Sequence, residues 1–279
     1  MAGFRTTAYR NPGEYWAFAL VVVGLVAASL FTAPLTGCLS VVFVVLFMVG
    51  AWVLAKDSHE RLMKKAHPVT AETEPVLYAL VQATAQRLGL RADEVRVYVA
   101  GGGVNALTYG LTRPRVIVLQ AGLLRVMNRA QLAYVLAHEF GHVQLGHAWW
   151  NSLAAGMVSM PLGWLAYFMR LLLFQSWQRA CEFSADRAGL LAVGDIRVAE
   201  QVMMTMLALT SKVRSEDELQ ALLLQAERGE TGDFEDWWGE LWSTHPLMQR
   251  RIVRLREYAA SAEFRALLVR LEVNGPVVG

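Results

Sequence analysis

The chain opens on a stretch in which apolar positions follow one another without a polar face. From Tyr15 to Ala55 no side chain is charged, enough for two crossings of a hydrocarbon layer that takes about 20 helical residues each. Ala33-Pro34-Leu35-Thr36-Gly37 divides the run, so the pattern predicts helices near 16 to 33 and 38 to 55 joined by a short turn. A second apolar segment directly after the first argues against a cleavable signal peptide. Periodicity sets in after residue 56. Val76, Leu77, Leu80, Val81 and Leu88 take helical spacing within 72 to 88, with Gly89 as the stop. Val95 to Ala100 and Arg115 to Leu119 are short β-branched runs between turn residues, which predicts a small sheet. Asn128 is placed to cap a helix through Leu132, Val135, Leu136, Val143 and Leu145. Further helices are predicted at 177 to 193, 195 to 211, 215 to 228 and 246 to 257, with a polar loop over 229 to 236.

Composition sharpens this picture. The 279 residues are 55% hydrophobic and only 18% charged, too apolar for an ordinary soluble enzyme, so part of the chain is expected to meet lipid. Arg5 and Arg10 precede the first apolar helix, Lys56, Arg61, Lys64 and Lys65 follow the second, and the turn between carries no charge. Positive residues stay inside, which puts the N-terminus and everything after residue 56 in the cytoplasm, with Cys38 near the opposite surface. A net charge of +2 without a basic block gives no reason to expect nucleic acid. Cys38 and Cys181, far apart, are expected to be free thiols. Gly101-Gly102-Gly103 lacks the Gly-Lys-Ser/Thr of a phosphate loop and reads as a flexible turn.

Candidate chemistry lies at His138-Glu139-Phe140-Gly141-His142. Residues four apart share a helix face, so both histidines can reach one ion. Two neutral imidazoles suit zinc, and the neighbouring Glu139 can take a proton from water acidified by the metal. Catalytic zinc usually takes three protein ligands. His147 does not fit the three-histidine zincins, whose glycine and third histidine would fall at Leu145 and Ala148; helix arithmetic turns it about 180° from His138 and makes it a surface or interfacial residue. Downstream, Glu182 and Asp186 stand four apart on another predicted helix. Glu182 can complete the set and Asp186 can accept the second ring N–H of a ligating histidine; a solvated acidic face paired with Arg179 and Arg187 is the plainer alternative.

Asn105-Ala106-Leu107-Thr108-Tyr109-Gly110, the 138 to 142 pentad, Glu182-Phe183-Ser184-Ala185-Asp186 and Ser243-Thr244-His245-Pro246 occur in an order that resembles the HtpX and CAAX prenyl endopeptidase group of membrane-embedded zinc metallopeptidases, over about residues 70 to 257. The resemblance implies one Zn²⁺ held by His138, His142 and Glu182, Asp186 behind them, Glu139 as general base and His245 as oxyanion stabiliser. It places Asn105 and Ala106 along the cleft against substrate backbone. It also implies an integral protein of a bacterial-type inner or plasma membrane, acting on membrane or membrane-proximal proteins, damaged ones included. Leu107 departs from the group's usual phenylalanine, and two N-terminal spans depart from its four-span layout.

The expected fold is therefore mainly α with a small β-sheet: a transmembrane helical hairpin over 1–56, then a zincin-like α+β protease domain over 57–279. Residues 148 to 169 are also uncharged. If His142 and Glu182 share an ion, the chain must leave and return on one side, and the stretch is too short for two full crossings. Pro161-Leu162-Gly163 breaks it, predicting an apolar hairpin over 148–177 that dips into the interface or packs on the membrane helices, with packing inside the domain as the rival. Other functions in view are a membrane scaffold or adaptor with a structural or inactive zinc site, and a zinc hydrolase of non-peptide bonds.

Overall fold

The structure is a computed structural model that describes residues 8–32, 34, 39–91, 93–111, 113–158, 164–210, 217, 220, 224, 248–272 and 277–278. Two helices lead, α1 (Pro12–Thr32) and α2 (Leu39–Met63). α2 runs on past the apolar stretch through Lys56 to Arg61, whose charges are spaced four apart for exposed Lys56–Glu60 and Asp57–Arg61 pairs. Then come β1 (Ala66–Pro68), α3 (Pro75–Arg87), β2 (Val95–Ala100), β3 (Ala106–Tyr109), β4 (Arg115–Gln120) and α4 (Ala121–Val126). The rest is helical: α5 (Arg129–Gln144), α6 (His147–Val158), α7 (Trp164–Val193), α8 (Ile196–Thr210), α9 (Met248–Ala260) and α10 (Ala262–Glu272). The chain is thus mostly helical with a small mixed sheet. The 215 to 228 helix, the 229 to 236 loop and His245 fall largely or wholly outside the described residues.

The sheet order is β1-β2-β4-β3, with β2 and β4 parallel and both outer strands antiparallel to their neighbours. Successive side chains on a strand point to opposite faces. Ile117 and Leu119 accordingly enter the main core with Val97, Val99 and residues of α3 and α5, while Val116 and Val118 meet Leu62 and Met63 at the end of α2. Coverage on both faces explains why β4 reads as continuously apolar rather than alternating.

α5 runs through the main core, and its start is fixed by a capping box: Asn128 Oδ1 accepts from Gln131 N at 3.0 Å while Gln131 Oε1 accepts from Asn128 N at 2.9 Å. α1 lies along α7 and α2 along α6, each more extensively than the two lie on one another. Val21, Phe47, Ala51, Leu153, Trp177 and Cys181 form their common buried seam. The outer faces stay apolar, with Leu20 73%, Leu30 70% and Leu46 65% exposed. Among the described residues one helical stretch, 41–63, is long and apolar enough to cross a membrane. The uncharged run after residue 148 forms α6 and the first part of α7, which pack on each other; Pro161-Leu162-Gly163 lies between them, outside the described residues.

Candidate metal centre

α5 carries His138, Glu139 and His142; α7 carries Glu182 and Asp186. The two helices approach closely because Gly141 has no side chain: a Cβ there would stand 2.9 Å from Ala188 Cβ and 3.2 Å from Ala185 Cα. Within α5 the His138 and His142 Nε2 atoms come to 3.2 Å, and across the contact His138 Nε2 lies 3.6 Å from Glu182 Oε2 and His142 Nε2 3.6 Å from Glu182 Oε1. Bonds of about 2.0–2.2 Å in a tetrahedron imply ligand–ligand edges of roughly 3.3–3.6 Å, so the two imidazoles and the Glu182 carboxylate are spaced as a group that could hold one metal ion.

The ring protons point the same way. His138 Nδ1 is 3.0 Å from Asp186 Oδ1, and His142 Nδ1 is 3.0 Å from His147 Nδ1. With both protons on Nδ1, two Nε2 lone pairs face each other, an arrangement that a cation relieves. Burial and the neighbouring His138 push His142 well below the ordinary histidine value, favouring the neutral form that binds metal. Burial also acts to lower His138, but the hydrogen bond and charge of Asp186, with Glu182, outweigh it and leave the ring raised. Binding at this point displaces any proton the pair carries.

Asp186 is itself held by residues the sequence did not single out. Arg251, on α9, donates from Nε to Asp186 Oδ2 at 2.8 Å and from Nη2 to Oδ1 at 2.6 Å, while its Nη1 stands 3.0 Å from Glu182 Oε2. Tyr134 OH donates to Asp186 Oδ1 at 3.1 Å. Burial would raise the Asp186 carboxyl, yet the Arg251 guanidinium and His138 hold it below the usual range. Arg251 stands six positions after His245 in the sequence, and no spacing rule links α9 to α7, so only the fold reveals this contact.

Glu139 is buried, and Thr108 Oγ1 of β3 donates to its Oε2. Asn105 is exposed at the entry to β3; its Oδ1 accepts from Ala106 N at 2.9 Å, and its carbonyl accepts from Gln120 N at 2.9 Å. β3 is an outer strand, paired among the described residues with β4 alone. His147 corrects the sequence reading: it is 1% exposed, not a surface residue. Helix arithmetic failed because α5 stops at Gln144 and Gly146, at φ +80°, redirects the chain before α6. Cys181 is a buried free thiol, and burial pushes it well above its ordinary value.

The chain is 28% identical over 208 residues to the plastoglobule-localized metallopeptidase 48, chloroplastic, of Arabidopsis thaliana, covering 70% of this chain and 60% of that protein's length. It is 26% identical over 233 residues to a protease HtpX homolog of Thermococcus sibiricus, covering 70% of this chain and 77% of the relative. A CAAX prenyl protease 1 homolog of Dictyostelium discoideum is 32% identical over 117 residues, 40% of this chain and 26% of the relative. The sequence pattern of peptidase family M48 matches residues 71–259, and the chain belongs to that family.

Proposed function

We propose that this chain is a membrane-anchored zinc endopeptidase that hydrolyses peptide bonds in membrane or membrane-proximal proteins, misfolded ones included. The observation that carries the reading is the convergence of His138, His142 and Glu182 on one point, next to a glutamate that touches the outer strand of the sheet among the described residues. Zinc bound there supplies Lewis acidity, lowering the pKa of water from about 15.7 to about 7. Glu139 takes the proton of the attacking water and returns it to the amine nitrogen as the carbon–nitrogen bond breaks. An extended substrate adds to the outer edge of β3, from Asn105 and Ala106 onward, by backbone hydrogen bonds. His245 steadies the developing oxyanion, and Asp186 fixes the ring of His138.

Residues 1–56 serve as the anchor and 57–279 as the protease domain. The exposed apolar faces of α1 and α2 support contact with lipid, and the basic flanks support a cytoplasmic N-terminus and active site. Glu139→Gln should leave zinc bound while abolishing chelator-sensitive cleavage of casein by the full chain in detergent. Unimpaired cleavage would remove Glu139 as the base, and a wild-type protein that binds zinc without cleaving any peptide would favour a scaffold.

A further inference from the structure

The family match starts at residue 71, yet a buried chain of hydrogen bonds connects the site to a residue far before it. His142 Nδ1 meets His147 Nδ1 at 3.0 Å, and His147 Nε2 meets Glu14 Oε1 at 2.9 Å. Glu14 is 0% exposed. Its Oε2 accepts from Ser184 Oγ at 2.7 Å, and Arg10 pairs with Oε1. Arg10 also donates to the Leu145 carbonyl at 2.7 Å, and Asn11 N donates to Ser184 Oγ at 2.9 Å. The start of α1 is thereby fastened to the end of α5 and to α7.

The proton positions follow from donor and acceptor counting. An ionised carboxylate only accepts, so His147 donates to Glu14 from Nε2. A neutral His147 then has a lone pair at Nδ1, and His142 must donate from its own Nδ1. That leaves the His142 Nε2 lone pair directed at the point it shares with His138 Nε2. The opposite tautomers would set two acceptors against each other at 2.9 Å between His147 and Glu14. His138 has the same support in shorter form, with Asp186 behind its Nδ1 and Arg251 behind Asp186.

We propose that Glu14 and His147 are positioning residues for the metal site: Glu14, on the anchor helix, fixes the tautomer and orientation of His142 through His147. The inference rests on the metal reading of His138, His142 and Glu182. Glu14, His147 and Cys181 also lie close enough to hold an ion of their own, but both oxygens of Glu14 and both nitrogens of His147 are already engaged in the bonds above.

The test uses the full chain in detergent, with zinc affinity by chelator competition and the visible spectrum of the cobalt-substituted protein. His147→Leu and Glu14→Ala should each weaken zinc binding about 10–100-fold and shift the cobalt bands. His147→Gln, whose amide accepts and donates in the same order, should restore most of the affinity and the wild-type spectrum. Wild-type affinity and spectrum in both disruptive variants would overturn the proposal. If those variants do not fold, nitrogen-15 histidine spectra of the wild type decide: protons on His142 Nδ1 and His147 Nε2 support it, and a proton on His147 Nδ1 with none on Nε2 overturns it. A second zinc that is lost in Cys181→Ser would also overturn it. Glu182→Ala separates the two readings: zinc binding unaffected by that change would defeat the metal site itself, whereas its loss alongside indifferent Glu14 and His147 variants would defeat the relay alone.

Discussion

Asp186 is an anion buried against a cation, and its protonation should be visible in stability. Burial alone would raise its carboxyl, but Arg251 and His138 hold it low. A depressed folded value contributes stability that is fully present above the ordinary aspartate value of about 4 and is lost as pH falls through the lower folded value. Asp186→Asn should therefore flatten the acid limb of the melting temperature measured against pH below about 4; an unchanged limb would contradict the assignment. Among single residues the sequence was informative where one helix set the geometry. His138 with His142, and Glu182 with Asp186, were paired by four-residue spacing. Arg251, Tyr134 and Glu14 were not legible, because their partners lie on other elements and no local periodicity records a contact across the core.

Gly141 shows how an element's path limits the chemistry it can carry. It lies between His138 and His142, and α7 passes so close that an added Cβ would meet Ala188 and the Ala185 backbone. Gly141→Ala should push α5 and α7 apart, costing about 1–3 kcal/mol of stability by overpacking and lowering zinc affinity because Glu182 sits on the displaced helix. Chemical denaturation and chelator competition read the two effects, and a variant with wild-type values in both would refute the close contact. The capped start of α5 and strands β2 and β4 were predictable from Asn128 and the β-branched runs. The end of α5 was not, since Leu145 continues the apolar pattern while Gly146 turns the chain. β1 and α10 were missed: three residues are too few to show alternation, and α10 follows α9 after Ser261 alone.

For the whole molecule, the apolar runs gave the place of the leading helices but not their full extent, since α1 starts at Pro12 and α2 continues to Met63. Packing of the 148–177 hairpin on them was one of two placements the sequence offered, and uniform hydrophobicity has no face to tell which helix meets which. Their packing on α6 and α7 means that the proposed anchor and the protease domain share a core. The proposed topology can be tested with the chain's two cysteines. Cys181 is buried, so a membrane-impermeant maleimide should label Cys38 from the outer face of intact cells; labelling of Cys38 only after the membrane is opened would reverse the orientation. Whether α5 and α7 share one metal is decided by zinc-edge anomalous diffraction from crystals of the full chain. A single peak about 2 Å from His138 Nε2, His142 Nε2 and a Glu182 oxygen is the expected finding. A peak elsewhere, or Glu182 turned away from it, would refute the shared ion.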